Sequence, residues 1–332
     1  MLHELRPNFP RPGCPFHCVQ TPFPKVQERC ILQKLPKGTN GNTRGFMAGE
    51  SDYAVSFEKY RSRTTVTTAA MIRSVLRYVP TSPGARVIDI GCGTGRYALL
   101  LASATEAPVF ATDLSRAMVD KAREKDDGQD VSWFLSDACR MPFAGESFDV
   151  ALLFLVLHVV KDSKTALQEA YRILRSGGHC LILTHSRPQL DRQTVFRFFP
   201  EARKLNKRRM LSLTKLKELV REIGFHHLQT EEFVEANTCS RDAFLEKVGS
   251  RPNTSLRSMN DTDFQRRYEA LEAAVAGQDN CTEESFSTLL GMRKYWLAPG
   301  LLLCGGGNGR QGYVSVWDSF GRHFSKMFLK SS

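Results

Sequence analysis

Val87-Ile88-Asp89-Ile90-Gly91-Cys92-Gly93-Thr94-Gly95-Arg96 is the stretch on which the fold turns. A short apolar run carries one acid, three glycines follow at alternate positions, and a helical pattern opens at Tyr97-Ala98-Leu99-Leu100-Leu101. The order reads as strand, tight turn and helix N-terminus, the way an open parallel sheet presents a loop to a nucleotide-like ligand. Glycine adopts backbone angles closed to other residues and has no Cβ to hold a ligand away. The first amides of the helix add unpaired N–H groups at the same place. Two common phosphate loops are excluded. Counting from Gly91, the sixth position is Arg96, so G-x-G-x-x-G fails, and no Gly-Lys-Ser/Thr follows at P-loop spacing.

Downstream, strand and helix patterns alternate. Pro108–Ser115 reads as a second strand ending at Asp113, eighteen residues past Gly95. That is close to the spacing at which such folds place a carboxylate on a ribose, and a carboxylate can accept from both ribose hydroxyls. The competing role for Asp113 is a helix cap. Val131–Ala138 reads as a third strand, running into Met141–Asp149. Val150–Val160 begins a fourth, whose continuous apolar character suits a strand buried on both faces. Asp162-Ser163 caps an expected helix over Lys164–Arg175, with Ala166, Leu167, Ala170, Tyr171 and Leu174 as its apolar stripe. Ser176-Gly177-Gly178 should end that helix, with His179–Thr184 as strand five. Ser212 should cap Leu213–Ile223, Gly224 should stop it, and Phe225–Val234 should be strand six. Repeated β-α-β units imply a parallel sheet with right-handed crossovers and a ligand at the strands' carboxyl ends.

With D-x-G-x-G-x-G, Asp113-Leu114-Ser115 followed by Met118 and Ala122, Asp137-Ala138 and Leu157-His158 in this order, the chain resembles the class I S-adenosylmethionine-dependent methyltransferases. Within them it is similar to the branch that holds the ubiquinone/menaquinone C-methyltransferases and many small-molecule enzymes. The resemblance spans roughly residues 50–294. It implies a Rossmann-like, doubly wound, mostly parallel seven-stranded α/β sheet with an antiparallel last strand near Phe286–Lys294, and helical lid insertions. It also implies S-adenosylmethionine as cofactor, with contacts from Asp89, Gly91, Cys92, Gly93, Gly95, Asp113, Leu114, Met118, Asp137, Ala138 and Phe154. In that family an Asp-Ala pair meets the adenine. A carboxylate suits an amino donor, while an ordinary turn acid is the alternative for Asp137. A Tyr and an Arg before the domain often cover the methionine end, and Tyr60 and Arg61 match, against the alternative of an exposed amphipathic helix. His158, at the exit of strand four, is the candidate general base. Ser176 stands where the family usually has proline, a change that bears on turn stiffness.

The periphery sets further expectations. Residues 1–45 hold seven prolines and little apolar periodicity, and read as a basic, poorly ordered leader. Cys14, His17 and Cys18 lack a second ligand pair, so no metal site is assigned. Residues 46–294 form the expected domain, with a cofactor half at 84–185 and lid and acceptor-side elements at 186–277. Residues 295–332 form an appended tail whose Gly305–Gly309 run is read as a turn. The net charge of +11 is uneven. Residues 187–222 carry eleven Lys/Arg against four acids, and residues 1–44 carry seven against two. Phe196-Arg197-Phe198-Phe199 and the arginines after it could serve RNA by stacking, which keeps an RNA methyltransferase as an alternative to a small-molecule enzyme. A non-catalytic interaction protein of the same fold is the other. No apolar run approaches the ~18 residues of a membrane span, and Met1–Pro7 does not read as a signal peptide. Nine cysteines without framework spacing point to reduced thiols and a cytoplasmic setting. Acceptor identity and oligomeric state have no diagnostic motif.

Overall fold

Period-two burial builds the sheet. In β1 (Val87–Ile90), Ile88 and Ile90 face one core cluster and Val87 the other. In β4 (Phe148–Phe154), Ala151 and Leu153 face the first cluster, while Val150, Leu152 and Phe154 face the second. Both faces are therefore apolar, as a sheet covered by helices on each side requires. The computed structural model describes residues 54–55, 57–59, 66–128 and 130–295. The leader, the tail beyond Tyr295, Tyr60 and Arg61 lie outside the described residues.

Seven strands lie in the order β3-β2-β1-β4-β5-β7-β6. β2 (Val109–Asp113) and β3 (Ser132–Leu135) extend the sheet on one side of β1, and β4 and β5 (Leu174–Thr184) on the other, all parallel. β7 (Asn280–Lys294) runs antiparallel between β5 and β6 (Phe225–Ser240). The order reverses direction between β1 and β4. Such a switch point opens a crevice at the carboxyl edge of the sheet.

One face carries α4 (Ser163–Ile173) and α8 (Leu213–Ile223), through Ala166, Leu167, Ala170, Ile173, Leu216 and Val220. Asp162 accepts from the Lys164 amide at the start of α4, and Gly224, at φ 113°, ends α8. The other face carries α1 (Val66–Leu76) and α2 (Arg96–Ala104), through Met71, Val75, Ala98 and Leu101. α3 (Arg116–Glu124) follows β2 and is capped by Ser115, whose side chain accepts from the Met118 amide. The side chain that caps α3 is therefore that of Ser115, with Asp113 Oδ1 accepting from the Ser115 amide.

A third cluster holds no residue of β1–β5 and meets the sheet at Cys281 of β7 and Cys239 of β6. Leu190, Phe196, Phe199, Phe244, Leu256, Phe264 and Leu271 are among its members. Apart from Phe199, which follows α6, they come from α5 (Arg187–Arg192), α6 (Thr194–Phe198), α9 (Arg241–Gly249), α10 (Thr254–Arg257) and α11 (Asp261–Ala274). α7 (Pro200–Arg209) adds Ala202. Among the described residues, no helix is long and apolar enough to cross a membrane.

Several boundaries differ from the sequence reading. The helix expected to reach Arg175 ends at Ile173, and β5 starts at Leu174 instead of His179. Leu174 pairs with Phe148, and the Ser147 amide donates to Ile173 O, so the backbone is already extended before Gly177. β6 continues past Val234 to Ser240, and β7 begins at Asn280, well before Phe286. These two ends pair with each other, so backbone bonding and not hydrophobic alternation extends them. The polar sequence Glu235-Ala236-Asn237-Thr238 carries no such alternation.

Candidate cofactor and active site

The three glycines after β1 take positive φ: 71° at Gly91, 55° at Gly93 and 79° at Gly95. The amides of Gly91 and Cys92 both donate to Thr112 O, at 2.7 and 2.9 Å, which ties the loop to the end of β2. Gly91 and Gly95 have no room for a side chain. A Cβ on Gly91 would lie 2.3 Å from Val156 Cγ2, and one on Gly95 would lie 2.5 Å from Trp133 Cη2. Gly93 differs: a Cβ there would meet the Phe57 ring at 3.6 Å, an ordinary contact. The loop is therefore packed from beneath at its two ends and approached at its middle by the segment that precedes α1. That segment is fastened by Lys125 to Glu58 at 2.7 Å and by Lys59 to Glu246 at 2.5 Å.

Asp113 ends β2 with its carboxylate turned to the loop. Oδ2 accepts from the Gly93 amide at 2.8 Å, and Oδ1 accepts from the Ser115 amide at 2.9 Å. Leu114, next to it, is 70 % exposed, an unusual position for a large apolar side chain beside a charged one. At the end of β3, the Ser136 amide donates to Asp113 O at 2.9 Å, which brings Asp137 to the same edge. Asp137 Oδ1 accepts from the Cys139 amide at 2.8 Å, so its carboxylate braces its own turn, as the turn-acid reading expects. Ala138 is buried beside it.

Asp89 is a strongly perturbed carboxyl at the site. It is 1 % exposed, the Ala98 amide in the first turn of α2 donates to it, and Oδ2 has no hydrogen-bond partner among the described residues. Burial pushes its pKa up to about 7 from 3.8, the negative charge of Asp113 adds to the rise, and the Ala98 amide opposes it. An orphaned, fully buried acceptor costs free energy unless a donor or cation meets it. Cys92 is also buried, and burial followed by the Asp89 and Asp113 charges raises its pKa far above that of an ordinary thiol. It is a neutral thiol, unsuited to act as a nucleophile.

At the exit of β4, Leu155 adopts a left-handed φ of 54° while its amide donates to Leu183 O of β5 at 2.9 Å. That kink drops Val156 onto Gly91 and lifts Leu157–Val160 into a turn, where His158 lies half-buried at the carboxyl edge. The side chains of Met118 and Phe154 lie in the interior at 6 % and 5 % exposure, and the Phe154 ring meets Tyr97 edge-on. Asp89, the glycine loop, Asp113, Leu114, Asp137 and His158 thus share one sheet edge. Sequence reading missed the supports below them, Val156 and Trp133, because their role is visible only where they meet glycines. It also missed His185, one residue past β5, whose Nδ1 lies 2.5 Å from Phe286 O. Among the described residues, no group of His, Cys, Asp or Glu is arranged to hold a metal.

This edge, with its glycine turn and strand-end acids at a topological switch point, is that of an α/β protein binding a nucleoside-type cofactor. Residues 88–182 match the model of the methyltransferase domain family. An O-methyltransferase of Aspergillus sclerotiorum is 31 % identical over 195 residues, 55 % of this chain and 70 % of that protein. A ubiquinone/menaquinone biosynthesis C-methyltransferase of Desulfotalea psychrophila is 37 % identical over 108 residues, 32 % of this chain and 44 % of that one. A crystal structure from Anabaena variabilis, described as a methyltransferase from an antibiotic biosynthesis pathway, superposes with a TM-score of 0.52. It is 20 % identical and covers 67 % of this chain and 96 % of its own, a likeness of fold. The chain belongs to the class I S-adenosylmethionine-dependent methyltransferases. It spans about half the length of several of the curated relatives it matches.

Proposed function

We propose that this protein transfers the methyl group of S-adenosylmethionine to a small-molecule acceptor. The observation that carries the reading is the pairing of a glycine loop with two strand-end carboxylates, one oriented by loop amides and one buried with an orphaned oxygen. These residues fit the cofactor. Asp113, an acceptor-only carboxylate oriented by the Gly93 and Ser115 amides, would hold ribose hydroxyls. Leu114 would cover one face of the adenine, and the Asp137-Ala138 turn would read its edge. Asp89 would answer the positive charge of the cofactor, which is also the condition under which a buried carboxylate ionises readily. Gly91, Cys92, Gly93 and Gly95 would supply close backbone approach, and Met118 and Phe154 would firm the pocket from the interior. Tyr60 and Arg61 are proposed to cover the methionine end.

The cofactor supplies an activated methyl on a positively charged sulfur. The protein's part is to align an acceptor and exclude water, which can remove several kcal/mol from the barrier. Residues 84–185 are proposed as the cofactor half. The helices of the third cluster, within 186–277, are proposed as the lid and acceptor side. His158 is proposed to take a proton from the acceptor where one must leave. Small molecules are favoured because the relatives named above are quinone-biosynthesis and O-methyltransferases. A cytoplasmic setting is supported by thiols at Cys92, Cys139, Cys180, Cys239 and Cys281.

Calorimetric titration tests the reading. S-adenosylmethionine and S-adenosylhomocysteine are expected to bind in the micromolar range, with NADH as the silent control. Asp113→Ala should weaken both by at least ~1.5 kcal/mol, about tenfold, the scale of a hydrogen bond to a charged group. Unchanged affinity in a folded variant would remove Asp113 from the site. Salt-sensitive retention of RNA would instead favour the RNA alternative.

A further inference from the structure

Cys239 and Cys281 lie directly opposite each other where β6 and β7 extend beyond the sheet. They flank the segment that carries α9, α10 and α11. Both side chains pack against the third cluster, so both sulfurs are on the same face of the two-stranded extension. Cys281 is buried and Cys239 half-buried, and both are thiols.

The kind of pairing is set by a neighbouring bond. The Arg241 amide donates to Asp279 O at 3.0 Å. In an antiparallel ladder hydrogen-bonded pairs recur at every second position, so Cys239 and Cys281, two steps along, form another such pair. Directly opposed residues of this kind have Cα atoms about 5.5 Å apart. Disulfides span Cα separations of about 4.4–6.8 Å, so the two thiols are within bridging range. At hydrogen-bonded positions the Cβ atoms stand somewhat farther apart than a relaxed disulfide prefers, so closure must draw the strands together. Bonds closed under that constraint belong to the reducible, responsive class. The register is well pinned here, since Thr238 and Thr282 join their hydroxyls at 2.8 Å on the adjacent pair.

We propose that Cys239 and Cys281 form a reversible disulfide that clasps the base of the α9–α11 cap, with a low-molecular-weight disulfide such as oxidised glutathione as the oxidant. Cys239, the more accessible thiol, attacks as thiolate and takes one glutathione, releasing the other as a thiol. Cys281, deprotonated in turn, attacks the Cys239 sulfur, forms the protein disulfide and expels the second glutathione thiol. Two protein thiols are oxidised and one glutathione disulfide is reduced to two thiols. Closing the two ends of the cap removes conformational freedom from its unfolded state and so should stabilise it.

The full chain would be equilibrated with oxidised glutathione, quenched with alkylating reagent under denaturing conditions and digested for peptide mass spectrometry. The expected product is one cross-linked peptide pair joining Cys239 to Cys281, lost on treatment with dithiothreitol. It should be accompanied by a rise of several degrees in Tm. Cys239→Ser should retain the Tm of the reduced protein under the same oxidant, which separates the clasp from general effects of glutathione. A glutathione adduct on Cys239 without the cross-link would overturn the proposal. So would two alkylated thiols, or a bridge to any other cysteine.

Discussion

The protein without cofactor is expected to lose stability as the pH rises from about 4 to about 7, through the ionisation of Asp89 alone. Asp89 titrates near 7 in the folded chain against 3.8 for an ordinary aspartate. Below both values the carboxyl is protonated in either state and the folded protein has this contribution in full. Between them the unfolded chain releases the proton and the folded chain must keep it, so stability falls with pH. Above 7 both are ionised and the loss is complete. At about 1.4 kcal/mol per pH unit, a shift of this size is worth on the order of 4 kcal/mol. Asp89→Asn keeps an oxygen for the Ala98 amide and removes the titration. The difference in urea stability between the two proteins, measured from pH 5 to pH 8, should therefore grow with pH in favour of asparagine. A difference independent of pH would show that Asp89 does not titrate there. A cationic ligand at the same site should oppose the trend: S-adenosylmethionine binding should tighten as pH rises toward 7, with proton release visible as a dependence of the binding enthalpy on buffer.

The second large effect is steric. Gly91→Ala should destabilise the fold by about 2–5 kcal/mol, combining a left-handed backbone, about 1–2 kcal/mol, with overpacking, about 1–3 kcal/mol. The overpacking comes from Val156, whose Cγ2 and Cβ would lie 2.3 and 2.9 Å from the new atom. Valine cannot swing aside, because its branch is at Cβ. For a domain of this size the fall in Tm is about 4–20 °C. Val156→Ala in the same chain removes the 2.3 Å contact and leaves the Cβ contact and the backbone part, so Gly91→Ala should cost less in a Val156→Ala background than in the parent chain. Equal costs in the two backgrounds would show that the clash is relieved by some other route. Cofactor affinity in the double variant should stay depressed if loop geometry, and not fold stability, governs binding.

The parts legible in the sequence were those where one residue type has one physical use. Glycines at 91, 93 and 95 after a buried strand announce positive φ, and all three adopt it. Apolar runs such as Val150–Phe154 announce burial on both faces. Asp113 could be placed because strand and loop spacing bring it to the glycines, and its bond to the Gly93 amide follows from that. What stayed hidden depended on partners distant in the chain. The early start of β5 rests on Phe148 pairing with Leu174. The long ends of β6 and β7 rest on each other, across a stretch with no alternation to read. Leu155, an ordinary leucine in sequence, takes a left-handed conformation because its amide is held by β5 while Val156 seats on Gly91. No local pattern announces that.

The separate core among α5–α7 and α9–α11 has a kinetic consequence. Its apolar residues satisfy one another, and its opening need not disturb the packing of β1 or β4. Regions with a core of their own open as cooperative units at a lower free energy than the whole chain. Amide hydrogens of Phe244, Val248, Phe264 and Leu271 should then exchange with solvent together and well before those of Ile88, Ala151 and Leu153. The proposed acceptor side would breathe as one piece while the strands that carry the glycine loop stay closed, so a substrate could enter and a product leave without the cofactor being let go.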